Sequence, residues 1–393
     1  MSRIASSPTL KGLLAADRLR SQGMDVVDLG AGEPDFSTPD HVKAAAHAAI
    51  DGNFTKYTAN SGITNLREAI AAKYAKDYGI TFTAAEVIVT AGGKQALANA
   101  ALSVFGPGDE VITHVPGWPT IVEQIKLADA TPVVVRTSAS DGFTLHAQPL
   151  IDAITPKTKG FIINSPANPT GALITEAELT KLARAAHARG LWIVLDLCYE
   201  QLIYEPIPAN LPGILFREMR ERAIVCGSAS KGYAMTGWRC GWTVGPKEVI
   251  ASCGALQSHQ TSNVCSITQK AVVAALTGPQ DCVKAMLDEY RSRRDQVWTW
   301  LTADPRIKCV KPAGAFYLFI DITELMAATG ITTSAEFADK LIEESYVVTT
   351  AGEAFDAPGF LRISYANSLE RLKEACDRLS AFVKKYEAVA AGR

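Results

Sequence analysis

Long hydrophobic runs are missing from this sequence. No apolar stretch reaches the roughly 18 residues that a membrane-spanning helix needs, so no transmembrane bundle is expected. An excess of charge of one sign is missing too: 39 lysines and arginines face 41 aspartates and glutamates, for a formal net charge of −2. That balance gives no electrostatic case for nucleic acid or an anionic membrane surface as partner. The segment "MSRIASSPTLKG" holds no apolar signal-peptide core, so a cytoplasmic protein is expected. Eight cysteines occur, at 198, 226, 240, 253, 265, 282, 309 and 376, yet no two form a C-x-x-C pair. Reduced, mostly buried thiols acting as small hydrophobes are the expectation, without zinc, other metal or disulfides.

Repeats, low-complexity tracts and long linkers are lacking as well. The strand-to-helix elbow G-x-S-x-G of an α/β-hydrolase does not occur. The one approach to a dinucleotide fingerprint, "GAGEPD", has Asp35 at the third glycine position and precedes the strand pattern. What is present is 48% hydrophobic residues in a chain of 393, too long for one small core, so two domains are expected.

Six short β-branched runs recur with helical segments between them: "EVIVT" (86–90), "EVITHV" (110–115), "TPVVV" (131–135), "KGFIIN" (159–164), "LWIVLD" (191–196) and "RAIVC" (222–226). They are near-continuously apolar, as strands of a parallel sheet buried on both faces must be. "TEAELTKLARAAHARG" reads as a helix with Thr175 as N-cap, Glu178 completing a capping box and Gly190 as the stop. Strand and helix in alternation predict an α/β domain with ligands at the carboxyl ends of the strands. After about residue 280 the pattern shifts to a helix over roughly 280–302, isolated strands in "GAFYLFI" and "GFLRISYA", and helices near 334–344 and 368–388. A smaller α+β domain of residues 286–393, joined by residues 1–39, is expected beside a large domain of residues 40–285.

The chemistry-bearing residues follow the predicted strands. After the first, Gly92 and Gly93 open a helix whose free amides suit an anion, although a plain tight turn needs the same glycines. After the fourth, "NSPANPTG" holds Asn168 on a stiff frame, as a turn former or a fixed amide. The fifth ends in Asp196, three residues before Tyr199. A carboxylate there caps the next segment or requires a cationic partner. The sixth leads into "GSASKGYAMTGWRCGW", where Ser228 and Ser230 bracket a turn, Lys231 follows and Arg239 lies eight residues on. Lys231 is either a surface lysine or, sheltered near an arginine, a nucleophilic amine. An anion site, an amide, a carboxylate and such a lysine at one sheet edge would together suit pyridoxal 5′-phosphate, with Ser and Arg on its phosphate.

These motifs make the chain resemble the class I aminotransferases of the fold-type I pyridoxal-phosphate enzymes, and within them the subgroup of many bacterial aspartate aminotransferases. The likeness runs from "LGAGEPDF" to "LRISYANSLERL" and rests on the S-x-S-K…T-G-W-R-x-G-W run, N-P-T-G and the D-x-x-Y step. It implies a mostly parallel seven-stranded sheet sandwiched by helices, plus the smaller α+β domain. It implies Lys231 as Schiff-base lysine and general acid/base, Asp196 as partner of the pyridine nitrogen, and Tyr199 and Asn168 as partners of the ring oxygen. Gly92, Gly93, Lys94, Ser228 and Arg239 match the phosphate cradle, and Trp118 the ring stacked on the pyridine. Arg362 matches the grip on the substrate α-carboxylate, aided by the Gly32 backbone, Asn168 and Trp118. Tyr57, in "KYTANSG", matches a tyrosine given to the partner subunit's phosphate, which implies a homodimer with shared active sites; the "TSN" of 261–263 sits near the same edge.

The implied activity is ping-pong transfer of an α-amino group from an amino acid, aspartate first, to 2-oxoglutarate or pyruvate. Aromatic, prephenate, alanine or basic-amino-acid use, or a pyridoxal-phosphate lyase or decarboxylase on the same fold, are the alternatives. "LQSHQTSN" offers no arginine for a distal carboxylate; Lys94 is a substitute or only part of the phosphate loop. Ser7 and Thr9 align with hydroxyls near the distal substrate group, and His259 reads as structural.

Overall fold

All six apolar runs form strands, and a seventh joins them. The computed structural model describes residue 4, residues 9–206 and residues 209–391. Its large sheet comprises β1 (Val87–Thr90), β2 (Glu110–Val115), β3 (Thr131–Arg136), β4 (Thr158–Asn164), β5 (Trp192–Asp196), β6 (Ala223–Ser228) and β7 (Gly241–Val244), in the order β1-β7-β6-β5-β4-β2-β3. Neighbours are parallel except β7, which runs antiparallel to β1 and to β6. The mostly parallel seven-stranded sheet implied by the resemblance is therefore present. β7 was not among the six runs read from sequence, because four residues opening on a glycine carry too little pattern.

Successive side chains of a strand point to opposite faces, so a continuous apolar run feeds two cores at once. Phe161 and Ile163 of β4, Ile193 and Leu195 of β5 and Val225 of β6 enter one core; Ile162, Val194, Ile224 and Cys226 enter the other. Helices close both faces. β3 is an edge strand and is partly exposed, which is where Pro132, lacking an N–H, does least harm to the ladder.

A third core is built from the helices Asp281–Thr302, Ser334–Ser345 and Leu369–Ala391 around a four-stranded antiparallel sheet. The sheet order is Thr350–Ala351, Phe360–Ser364, Tyr317–Asp321, Lys308–Cys309. Val27–Asp28 pairs in parallel with Val347–Val348 and brings the early chain to this body. Tyr199, Leu202 and Tyr204, from the loop after β5, also pack into this core, so that loop lies at the junction of the two bodies.

Two local expectations need correction. Thr175 caps helix Glu176–His187 by accepting from the Glu178 N–H at 3.2 Å, but the reciprocal half of the capping box is not made. The Glu178 carboxylate instead accepts from the N–H of Ala147, the first residue of helix Ala147–Asp152. Burial of thiols is also less complete than expected: Cys226, Cys240 and Cys253 are buried, Cys198, Cys282, Cys309 and Cys376 half-buried, and Cys265 exposed. No helix among the described residues is long and apolar enough to cross a membrane.

Candidate active site

At the carboxyl ends of β1, β4, β5 and β6 lies a cavity of about 610 Å³. Gly32, Gly93, Lys94, Trp118, Asn168, Asp196, Tyr199, Ser228, Lys231, Arg239 and Arg362 all line it. Gly92 backs the cavity without lining it. Tyr57 lies outside, 92% exposed on this chain. Ser7 falls outside the described residues; Thr9 begins helix Thr9–Ser21 with its side chain undescribed. His259 is exposed at the end of helix Lys247–Ser258 and does not line the cavity.

One wall has the free amides and the unpaired arginine that suit an anion. Helix Gly93–Val104 starts here with Gly92 as N-cap, and its first amides, on Gly93 and Lys94, have no protein acceptor among the described residues. Gly92 has φ +84°, and a methyl group on it would lie 2.6 Å from Arg239 Nη2. Only glycine lets the guanidinium close on this turn. Arg239 itself adopts φ +52°, and donates to the Thr236 and Ala91 carbonyls at 2.9 and 3.3 Å. Ser228 Oγ sits 2.9 Å from Ser230 Oγ and accepts from the Ser230 N–H at 3.1 Å. No carboxylate pairs with Arg239 among the described residues.

Opposite charges line the floor. Asp196 is 3% exposed, and its Oδ1 accepts only from the Cys198 N–H, at 3.0 Å. Burial pushes its carboxyl up to about 7, with the Cys198 amide pulling the other way, and no cation pairs with it among the described residues. Lys231 follows β6; its Nζ donates to the Gly32 carbonyl and lies 5.8 Å from the Phe316 ring centre. Burial draws this amine below the ordinary lysine range; Cys198 and Glu33 oppose that, while Arg362 and Arg239 add to it. His114, beneath, is pushed down to about 4 by burial and accepts from the Asn164 N–H at 3.3 Å, so it is neutral.

The third wall comes from the smaller body. Arg362, on the strand Phe360–Ser364 and 3% exposed, donates to Asn168 Oδ1 at 3.0 Å, to the Gly30 carbonyl at 2.7 Å and to Thr350 Oγ1 at 3.4 Å. All three partners are neutral, and its buried Nε has none. A buried guanidinium held only by neutral groups calls for an anion. Lys94 Nζ stands 5.2 Å over the Trp118 ring, and burial, then Arg239, draws that amine down.

Sequence reading missed Tyr317, Asn164, Cys198, Glu33 and Thr350, which also line the cavity. Tyr317 and Thr350 lie in short strands where nothing in the pattern separates them from core residues. From sequence Cys198 reads only as a small hydrophobe, although the D-x-x-Y step contains it.

The chain matches the family described as aminotransferase class I and II over residues 24–379. It is 42% identical over 389 residues to the aspartate/prephenate aminotransferase of Cereibacter sphaeroides, covering 97% of each chain. Against the aspartate aminotransferase of Geobacillus stearothermophilus it is 41% identical, over 97% of this chain and 98% of that one. Among solved structures, the aspartate aminotransferase of Thermus thermophilus with maleate superposes with a TM-score of 0.91 at 38% identity, covering 97% of both chains. The Rhizobium meliloti aspartate aminotransferase gives 0.92 at 38% identity, over 98% of this chain and 97% of that one. Sequence, fold and site geometry thus agree that the chain belongs to the class I and II aminotransferases and is an enzyme of amino-group transfer.

Proposed function

We propose that the protein is a pyridoxal 5′-phosphate-dependent aminotransferase that works by ping-pong transfer, with aspartate as the first amino donor and 2-oxoglutarate or pyruvate as acceptor. The observation that carries this reading is the pair of buried ionisable groups without a charged partner that face one cavity, the Asp196 carboxyl and the Arg362 guanidinium, with a sheltered amine, Lys231, beside them. A ligand with a basic ring nitrogen and a phosphate, joined by a substrate carboxylate, answers each charge. Bound there, pyridoxal phosphate supplies an aldehyde that condenses with amines and a protonated ring that takes up the electron pair freed at the substrate Cα.

The residues supply the rest. Asp196, held at the end of β5, keeps a proton on the ring nitrogen through its negative charge. The Gly93 and Lys94 amides, Ser228 and Arg239 hold the phosphate. Tyr199 and Asn168 donate hydrogen bonds to the ring oxygen. Arg362 binds the α-carboxylate and so orients Cα. Lys231, its proton affinity lowered by burial, takes the Cα proton as a neutral base and returns it as an acid. Lys94 is the available cation for a distal carboxylate, which favours an acidic donor; the names of the relatives point the same way. We assign Tyr57 to the phosphate of a second copy, in a homodimer.

The test is a half-reaction: the enzyme in its pyridoxal form is mixed with single amino acids, and loss of the visible band is followed with release of the oxo acid. Rapid, stoichiometric conversion with aspartate is expected. Carbon dioxide or an eliminated side chain as product would replace this reading by a decarboxylase or lyase, and no conversion with any amino acid would overturn it.

A further inference from the structure

We propose that Tyr317 is a positioning residue that sets both the donor strength of Tyr199 and the aim of Arg362, linking the cofactor-holding and substrate-holding sides of the site. The proposal rests on the roles just assigned to Tyr199 and Arg362.

Strand register puts Tyr317 there. Phe319 is paired with Arg362, and Tyr317 with Ser364, across the antiparallel strands Tyr317–Asp321 and Phe360–Ser364. Tyr317 and Arg362 are therefore diagonal neighbours on one face, within reach of an aromatic ring and a long side chain. The Arg362 guanidinium lies 4.3 Å from the Tyr317 ring centre, closer than its 5.1 Å to Phe355. A planar cation on a ring face is attracted by the ring quadrupole, and the contact fixes the tilt of the fork. With Nη1 held by Asn168 and Nη2 by Gly30 and Thr350, the ring is the floor that keeps the guanidinium from rotating.

The hydroxyl reaches the other side. Tyr317 Oη lies 2.8 Å from Tyr199 Oη, and either can donate. Each hydroxyl has one proton, so Tyr199 can offer its own to the cavity only when Tyr317 is the donor in this pair. The Arg362 guanidinium, 4.3 Å from the Tyr317 ring centre, favours that direction, because a cation on the ring face draws electron density from that phenol and makes it the better donor. Burial raises both hydroxyls above the ordinary tyrosine range, and Arg362 opposes burial at both. A donated bond polarises the acceptor hydroxyl and strengthens its own donation. The titratable groups facing this pair are Cys198, from the loop after β5, and Arg362; Lys231 in turn faces Cys198, Glu33, Arg362 and Arg239.

Space is reserved for the arrangement. Tyr317 is 1% exposed, and a methyl group on Gly32 would lie 2.9 Å from its Oη. The Gly32 carbonyl accepts from Lys231 Nζ, so three groups with assigned roles (Lys231 through Gly32, Tyr199 and Arg362) meet around one phenol.

Two variants separate the hydroxyl from the ring. Tyr317→Phe keeps the floor under Arg362 and removes the proton donor. With a weaker Tyr199 the ring oxygen is more basic, so the proton it shares with Lys231 Nζ is held to higher pH. The midpoint of the visible-band pH titration is expected to rise by about half to one unit, with KM for aspartate and the dissociation constant of maleate within about twofold of the parent. Tyr317→Leu removes both, and is expected to add a rise of about tenfold or more in KM and in the maleate constant. An unchanged midpoint in Tyr317→Phe overturns the role toward Tyr199. An unchanged maleate constant in a folded Tyr317→Leu, or a maleate constant raised equally in Tyr317→Phe, overturns the role toward Arg362. A parent enzyme with no visible band at all would overturn the cofactor reading itself, and this role with it.

Discussion

Asp196 and Lys231 show one physical effect acting on two signs of charge. Removal from water disfavours the ionised form of each, so the acid is pushed up to about 7 and the amine is drawn down. Without a ligand this has a price in stability for Asp196. Between the ordinary value of 3.8 and about 7 the unfolded chain has released a proton that the native carboxyl still holds. Native stability from this group is intact below about pH 4, is lost as pH rises toward 7, and amounts to roughly 4 kcal/mol at most. Cofactor-free Asp196→Asn should therefore gain on the parent in urea midpoint as pH goes from 4.5 to 7.5. A difference that does not change with pH would show that the carboxylate is already compensated. Strand-end position made Asp196 legible in sequence, because a charge closing an apolar strand has few explanations. Tyr317 was not legible, since its position opposite Tyr199 arises from a contact 118 residues apart that no local pattern encodes.

The turns at the strand ends were readable as sites, and the strands as strands, because burial on both faces leaves a continuous apolar signature. What local sequence could not convey was β7, whose antiparallel pairing with β1 and β6 brings Gly241 back beside Gly92 and Gly93. A methyl on Gly241 would meet the Gly93 nitrogen at 2.5 Å. The capping box failed for a similar reason: the Glu178 carboxylate found a tertiary donor in Ala147 that competes with its own helix start. At this scale the glycine turn is the sensitive part of the cradle. Gly92→Ala forces a side chain into φ +84° and against Arg239. We expect it to weaken cofactor retention about tenfold or more by equilibrium dialysis, with helical content unchanged. Gly106→Ala, where the added methyl meets nothing within 4 Å, is the control expected to retain cofactor normally. Equal loss in both would remove the turn from the cradle.

Across the whole molecule, the site is assembled from both bodies, and Arg362 is the tie. Its fork reaches Asn168 in the loop after β4 and Gly30 in the early chain, while Arg136, at the sheet edge, donates to the Asp356 carbonyl and carboxylate at 2.7 and 2.8 Å. A carboxylate bound by Arg362 is thereby gripped at the junction. The remaining reach is outward. Tyr57, 92% exposed, does nothing for the cavity of its own chain. On the proposed homodimer, Tyr57→Phe should loosen cofactor binding by roughly fivefold, the scale of one lost hydrogen bond, although no contact within the single chain changes. Unaltered affinity would assign the phosphate cradle to one chain alone.

On the proposed homodimer, a hydroxyl lent between copies would also make the cofactor's hold depend on how much protein is in the tube. Dilution that separates the copies would take the hydroxyl away from both phosphates at once. By thermodynamic reciprocity, saturating cofactor must then tighten the association of the two chains. The loaded enzyme should stay paired at concentrations where the stripped enzyme falls apart, so that each molecule's coenzyme acts as a clasp for its neighbour.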